Sequence, residues 1–125
     1  IMINPGYAGA WNNKGVALGN LGRYQEAITC YDKAIMINPG YDKAWNNKGT
    51  ALYSLDRYQE AITCFYKAIR INPGYVEPWI NKGSALASLG RHQEALKCAD
   101  EAIRLNPTLP QAQQLKRLIL EKLRR

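Results

Sequence analysis

Residues 42–75 read DKAWNNKGTALYSLDRYQEAITCFYKAIRINPGY, and close variants of this stretch stand at 8–41 and 76–109. Laid over 8–41, it matches at 25 of 34 positions; laid over 76–109, at more than half. Trp11, Trp45 and Trp79 are 34 apart, as are Gly15, Gly49 and Gly83, and Ala27, Ala61 and Ala95. Asn-Pro recurs at Asn4-Pro5, Asn38-Pro39, Asn72-Pro73 and Asn106-Pro107. A fixed period of this length marks an array of like units, none able to bury its apolar face without a neighbour.

Each unit divides into two helical patterns. In 8–41, Trp11, Gly15 and Leu18 fall at i, i+4 and i+7, with Leu21 following, which is one helix face. Gly22 suits a left-handed C-terminal cap. A second stripe runs Tyr24, Ala27, Tyr31, Ala34 and Ile37 until Asn38-Pro39-Gly40 ends it, because proline disfavours a helical residue before it. Gly15 and Ala27 leave room for the two helices to cross, and Trp11 and Tyr31 fill the space beside them. Pro78 falls in a first helical turn, where proline is tolerated. Residues 110–125 add one more stripe, Ala112, Leu115, Ile119 and Leu123, with Lys and Arg opposite. This predicts a terminal capping helix.

Three departures from the repeat carry expectations. Asp56 replaces the turn glycine found at Gly22 and Gly90, a less comfortable choice. His92 and Ala99 stand where the central unit has Tyr58 and Phe65, so the third unit should be the least filled unless the tail helix compensates. Lys14, Lys48 and Lys82 lie at the edge of the apolar arc and should bury their stems with the charge reaching out.

Composition narrows the function classes. The chain has 125 residues, 46% apolar and 22% charged, which suits one folded domain. No apolar run approaches the roughly 20 residues of a membrane span. Cys30, Cys64 and Cys98 are spaced as the repeat is, with no C-x-x-C pair, so they read as buried reduced thiols of a cytoplasmic protein and not as metal ligands. The net charge is +7, and the tail holds Lys116, Arg117, Lys122, Arg124 and Arg125 against Glu121. A solvated helix with cations at its C-terminal dipole end explains this better than an anionic partner such as nucleic acid. No carboxylate pair, Ser/His/Asp set, phosphate loop or metal cluster appears, so the reading is a non-enzyme with no cofactor and no metal.

The 34-residue unit resembles the tetratricopeptide repeat (TPR). The residues that carry the resemblance are Trp11, Gly15, Leu18, Tyr24, Ala27, Tyr31, Ala34 and Pro39. Next come Trp45, Gly49, Leu52, Tyr58, Ala61, Phe65, Ala68 and Pro73. In the third unit they are Trp79, Gly83, Leu86, His92, Ala95, Ala99, Ala102 and Pro107. The wording WNNKG also resembles arrays from methanogenic archaea. The resemblance implies an all-α, right-handed solenoid of antiparallel helix pairs, with the first helix of each unit lining the concave face. The array then comprises 1–7 as the remnant of a preceding repeat, repeats 8–41, 42–75 and 76–109, and the capping helix 110–125.

Helical angles select the wall residues, since successive side chains rotate by about 100°. Opposite the apolar stripe lie Asn12, Asn13 and Val16, then Lys43, Asn46, Asn47, Thr50 and Tyr53, then Glu77, Ile80, Asn81 and Ser84. Asn13, Asn47 and Asn81 recur once per unit, and an amide ladder can pair with the backbone of an extended peptide. Alternatively, these asparagines hydrogen-bond neighbouring helices. Tyr53 is the aromatic anchor. The carboxylate clamp of chaperone-binding relatives is rejected: at the matching places stand Asn12, Val16, Asn47, Glu77 and Asn81, and only Asn47 fits. The expected function is a scaffold binding a protein or peptide segment along this wall. Alternatives are a self-assembly module that associates weakly through the open N-terminal repeat face, and, last, a basic nucleic-acid binder.

Overall fold

The computed structural model describes residues 5–124, all of them in helices or the short turns between. Three helix pairs follow one another: α1 (Pro5–Asn20) with α2 (Tyr24–Ile37), α3 (Asp42–Ser54) with α4 (Tyr58–Ile71), and α5 (Val76–Ser88) with α6 (His92–Leu105). The seventh helix, α7 (Pro110–Leu123), packs on α6 and α5. Within each pair a three-residue turn reverses the chain, so the helices are antiparallel. Each later first helix packs on the preceding second helix, and α1, α3, α5 and α7 also touch in series. The result is a helical solenoid.

Backbone chemistry sets the ends of the helices. Gly22 and Gly90 sit at φ +78° and Asp56 at φ +60°, all in the left-handed region. At each of the three turns the chain closes a Schellman motif; at Asp56, its N–H donates to Tyr53 O and Arg57 N–H donates to Leu52 O, both at 2.9 Å. Asp56 therefore bears the strain that the sequence implied. Its Oδ1 accepts the Tyr58 hydroxyl at 2.9 Å, and this bond holds the Tyr58 phenol protonated above its ordinary range. Between units, Asn38 Oδ1 accepts from Gly40 N–H at 3.2 Å in an Asx turn. The indoles secure the same turn: Trp45 Nε1 donates to Pro39 O at 3.1 Å and Trp79 Nε1 to Pro73 O at 3.2 Å. In α7, Gln113 takes the place of the tryptophan and its Nε2 makes the equivalent bond to Pro107 O at 3.1 Å.

Residues 5–7 of the expected remnant differ from their counterparts 39–41. Pro5, Gly6 and Tyr7 form the first turn of α1, whereas Pro39, Gly40 and Tyr41 lie in the link between helices. Proline is well placed in a first turn, and within the described residues no second helix precedes it. Ile1–Asn4 lie outside the described residues.

The crossing of each pair depends on glycine. A methyl added at Gly15 would come within 2.5 Å of Tyr31 Cε1, and one at Gly49 within 2.5 Å of Phe65 Cε1. In the third unit Ala99 leaves this volume empty, and Leu115 of α7 occupies it: a methyl on Gly83 would meet Leu115 Cδ2 at 3.0 Å. The tail helix thus compensates for the missing aromatic. On α7, exposed Gln113 and Arg117 stand one period after Trp79 and Gly83.

Candidate wall of first helices

The edge lysines form the joints between units. Lys48 Nζ lies 2.7 Å from Asp32 Oδ1 and 5.7 Å from the Trp45 ring centre. Lys116 Nζ repeats the ion pair with Asp100 at 2.8 Å. Between them, Tyr66 replaces the aspartate, and Lys82 Nζ sits over its ring at 5.4 Å. Lys14 reaches the Trp11 ring at 5.3 Å. The buried cysteines are free thiols; burial pushes Cys64 up to about 11 and raises Cys98, which leaves both unreactive. Among the described residues no cluster of metal-ligating side chains occurs, and no helix is long and apolar enough to cross a membrane.

The asparagines split into two roles. Asn12 and Asn46 are only 6% exposed. Asn47 Nδ2 donates to Asn12 Oδ1 at 3.0 Å, and Asn81 Nδ2 donates to Asn46 Oδ1 at 3.1 Å. Asn46 Nδ2 in turn donates to the Tyr75 hydroxyl at 3.3 Å. Asn12 and Asn46 are therefore inter-helix acceptors and not open wall, contrary to the helical-wheel placement. The physical reason is that a first helix is covered on two sides, by its own partner and by the next first helix. A wheel with one buried arc misses the second side.

Of the other residues so placed, Val16, Asn47, Thr50, Tyr53, Asn81 and Ser84 border grooves, whereas Asn13, Lys43, Glu77 and Ile80 do not. Three grooves run along the junctions of the first helices. One of about 290 Å³, between α1 and α3, takes in Val16, Asn47 and Thr50. The next, about 130 Å³, is lined by Thr50, Tyr53, Phe65, Asn81 and Ser84. The third, about 440 Å³, joins Tyr53, Ser84, Ala87, Ser88 and His92 to Leu115, Leu118, Ile119 and Lys122 of α7. Thr50 spends its hydroxyl on Asn46 O at 3.0 Å. Tyr53 stands edge-on to Tyr58 at 5.1 Å, with its hydroxyl 3.3 Å from Ser88 Oγ. Asn13 is exposed, and Lys43 and Glu77 are exposed in the first turns of α3 and α5. Ile80 is half-buried against the core.

Sequence reasoning missed the contribution of α7. Leu115, Leu118 and Lys122 stand one period after Asn81, Ser84 and Ser88, so the signal was the same 34-residue offset continued past the last clear repeat. It also missed His92 as a groove residue; its Nδ1 is buried without a hydrogen-bond partner.

The family model for the tetratricopeptide repeat matches residues 8–41, 42–75 and 76–109. No relative among curated proteins matches the chain by sequence. Among solved structures, the first TPR domain of Spaghetti (RPAP3), bound to the HSP90 peptide SRMEEVD, is similar over 100% of this chain and 99% of its own, at 26% identity and a TM-score of 0.95. The first TPR domain of human RPAP3 is 27% identical, with a TM-score of 0.94 and coverage of 96% and 94%. The second TPR domain of human RPAP3, in complex with the HSP70 peptide SGPTIEEVD, is 25% identical, with a TM-score of 0.89 over 93% of this chain and 98% of its own. The repeat, the helix pairs and these likenesses agree, and the chain belongs to the tetratricopeptide repeat family.

Proposed function

We propose that this chain is a non-enzymatic, cytoplasmic scaffold that binds an extended peptide or partner segment along the wall of first helices. The observation that carries the reading is the run of three grooves across α1, α3, α5 and α7, bordered by Asn47, Thr50, Tyr53, Asn81 and Ser84. Asn47 and Asn81 each commit one amide hydrogen to the neighbouring unit. Each keeps its Oδ1 and a second hydrogen, the pair that a peptide backbone needs. Asn12 and Asn46 act as positioning residues behind them, and Asn13 and Val16 extend the wall at α1.

The partner differs from the chaperone peptides of the similar structures. Glu77 repels a carboxylate, Val16 offers it no donor, and Asn12 is buried. The third groove instead pairs apolar Leu115, Leu118 and Ile119 with the Lys122 ammonium. This suits a bulky apolar side chain next to an acidic group. Nucleic acid ranks below this reading because Lys116 is engaged by Asp100 and Arg104 by Glu101.

Titration with a peptide panel tests the reading. Asn47→Ala or Asn81→Ala should each weaken the best binder by about two- to tenfold, the worth of one net hydrogen bond. Leu118→Glu should remove the preference for an apolar residue. Unchanged binding by the Asn47→Ala, Asn81→Ala double variant would refute the ladder.

A further inference from the structure

At each of the three joints a lysine reaches toward the second helix of the preceding unit, and at two of them it meets a carboxylate. Lys48 takes Asp32 at 2.7 Å, and Lys116 takes Asp100 at 2.8 Å. At the middle joint Tyr66 stands one period after Asp32 and one before Asp100, opposite Lys82. The Lys82 ammonium lies 5.4 Å from the Tyr66 ring centre and, among the described residues, makes no ion pair. A ring face attracts a cation more weakly than a carboxylate in contact does. The half-buried ammonium at this joint therefore lacks the partner that its two counterparts hold.

Lys82 and Tyr66 line a groove of about 230 Å³ on the side of the second helices, between α4 and α6. Buried Ile62 and Leu86 give it an apolar floor, and it shares no residue with the three wall grooves. Glu94, at its rim, does not replace the missing carboxylate. Arg91 holds Glu94 through both oxygens, at 3.0 and 2.6 Å, and these bonds, more than the charge of Lys82, keep the carboxyl below its ordinary range. The first joint provides the comparison: Arg57 pairs with Glu60 at 2.5 Å in the same way, yet Lys48 still takes Asp32. A second cation stands beside the groove, since Arg70 Nη1 donates to the Tyr66 hydroxyl at 3.1 Å.

We propose that this groove is a second docking site, separate from the wall, which seats an Asp or Glu side chain of a partner's peptide segment on Lys82, with an adjoining aliphatic side chain over Ile62 and Leu86. The chemistry of the occupant follows from the flanking joints, which show twice what a lysine at this place takes. Tyr66 fills the position of the resident carboxylate and leaves the ammonium facing the groove. A polyanion such as nucleic acid does not suit the site, because Glu94 opposes it at the rim.

The test titrates the isotope-labelled chain with the capped tripeptide acetyl-Leu-Glu-Leu-amide and follows the backbone amide shifts. Saturable shifts should appear around Tyr66, Lys82 and Arg91, and the Gln analogue of the tripeptide should bind about threefold more weakly or worse, the worth of a partly exposed ion pair. Lys82→Met should weaken the Glu peptide to the same degree. Tyr66→Asp should block the site, because it gives Lys82 the partner that Lys48 and Lys116 have. Tyr66→Asn removes the ring without supplying a charge and should still bind. The proposal is overturned if the Gln peptide, or sodium acetate at equal concentration, produces the same shifts. It is equally overturned if Tyr66→Asp binds undiminished, if Tyr66→Asn loses binding, or if the shifts fall only on the wall groove around Lys122.

Discussion

Gly49→Ala tests the crossing of α3 and α4 directly. In an exposed helix the change would stabilise by about 1 kcal/mol, from helix propensity alone. Here the new methyl would lie 2.5, 2.8 and 3.0 Å from Cε1, Cδ1 and Cζ of Phe65, against an ordinary carbon contact of about 3.5–4.0 Å. The ring cannot retreat, since Phe65 is 0% exposed and sits in the central cluster with Ala61, Leu52 and Leu86. Overpacking of this kind costs about 1–3 kcal/mol, so the net effect is destabilisation by up to about 2 kcal/mol. Gly83→Ala provides the internal control. Its nearest neighbour is Leu115 Cδ2 at 3.0 Å, the far end of a flexible side chain on the terminal helix. Cys98 Cβ and Ala95 O of α6 follow at 3.3 and 3.4 Å, so a small movement of α7 relieves the closest contact only, and Gly83→Ala should lose less stability than Gly49→Ala. Urea titrations of the two variants beside the parent give the comparison, and Phe65→Leu in the Gly49→Ala background should recover part of the loss. A Gly49→Ala protein more stable than the parent would refute the reasoning, because it would mean that the ring yields at no cost and only the propensity gain remains.

Deleting residues 110–125 should strip the cover from α6 and empty the space beside Gly83 and Ala99 that Leu115 fills; calorimetry should then show a melting temperature lower by several degrees, at about 4 °C per kcal/mol for a chain of this size. Leu115→Ala alone should reproduce a large part of that drop, at about 2–5 kcal/mol for a buried leucine. Alkali should unfold the protein in a defined window. Burial pushes Tyr31 up from 10.0 to about 12 and Cys64 from 9.0 to about 11. Both folded values are raised, so this stability is fully present below about pH 9 and is lost as pH rises through roughly 9–12. Ellipticity and tyrosinate absorbance should change together there. In Tyr31→Phe the transition should shift to higher pH, and an unshifted transition would assign it elsewhere.

The 34-residue period determined most of the architecture before any coordinates. Trp, Gly, Ala and Asn-Pro at fixed offsets specify two short helices and a turn, because each residue answers a local requirement. Gly22 supplies a positive φ, Pro39 denies an N–H, and Gly15 makes room for Tyr31. The wall was legible only in part. Val16, Thr50, Tyr53, Asn81 and Ser84 follow from rotation about a single helix axis, and they do border the grooves. Whether Asn12 and Asn46 face solvent depends on a neighbouring helix 34 residues away, which no wheel contains. Packing decided that these two amides are spent between units while Asn47 and Asn81 keep a free edge. It also decided that Leu115 fills the place of a missing aromatic, that Gln113 stands in for an indole, and that Lys82 exchanges an aspartate for a ring. In each case local sequence supplies the functional group, but its partner lies in the next unit, so the role exists only once the units are stacked.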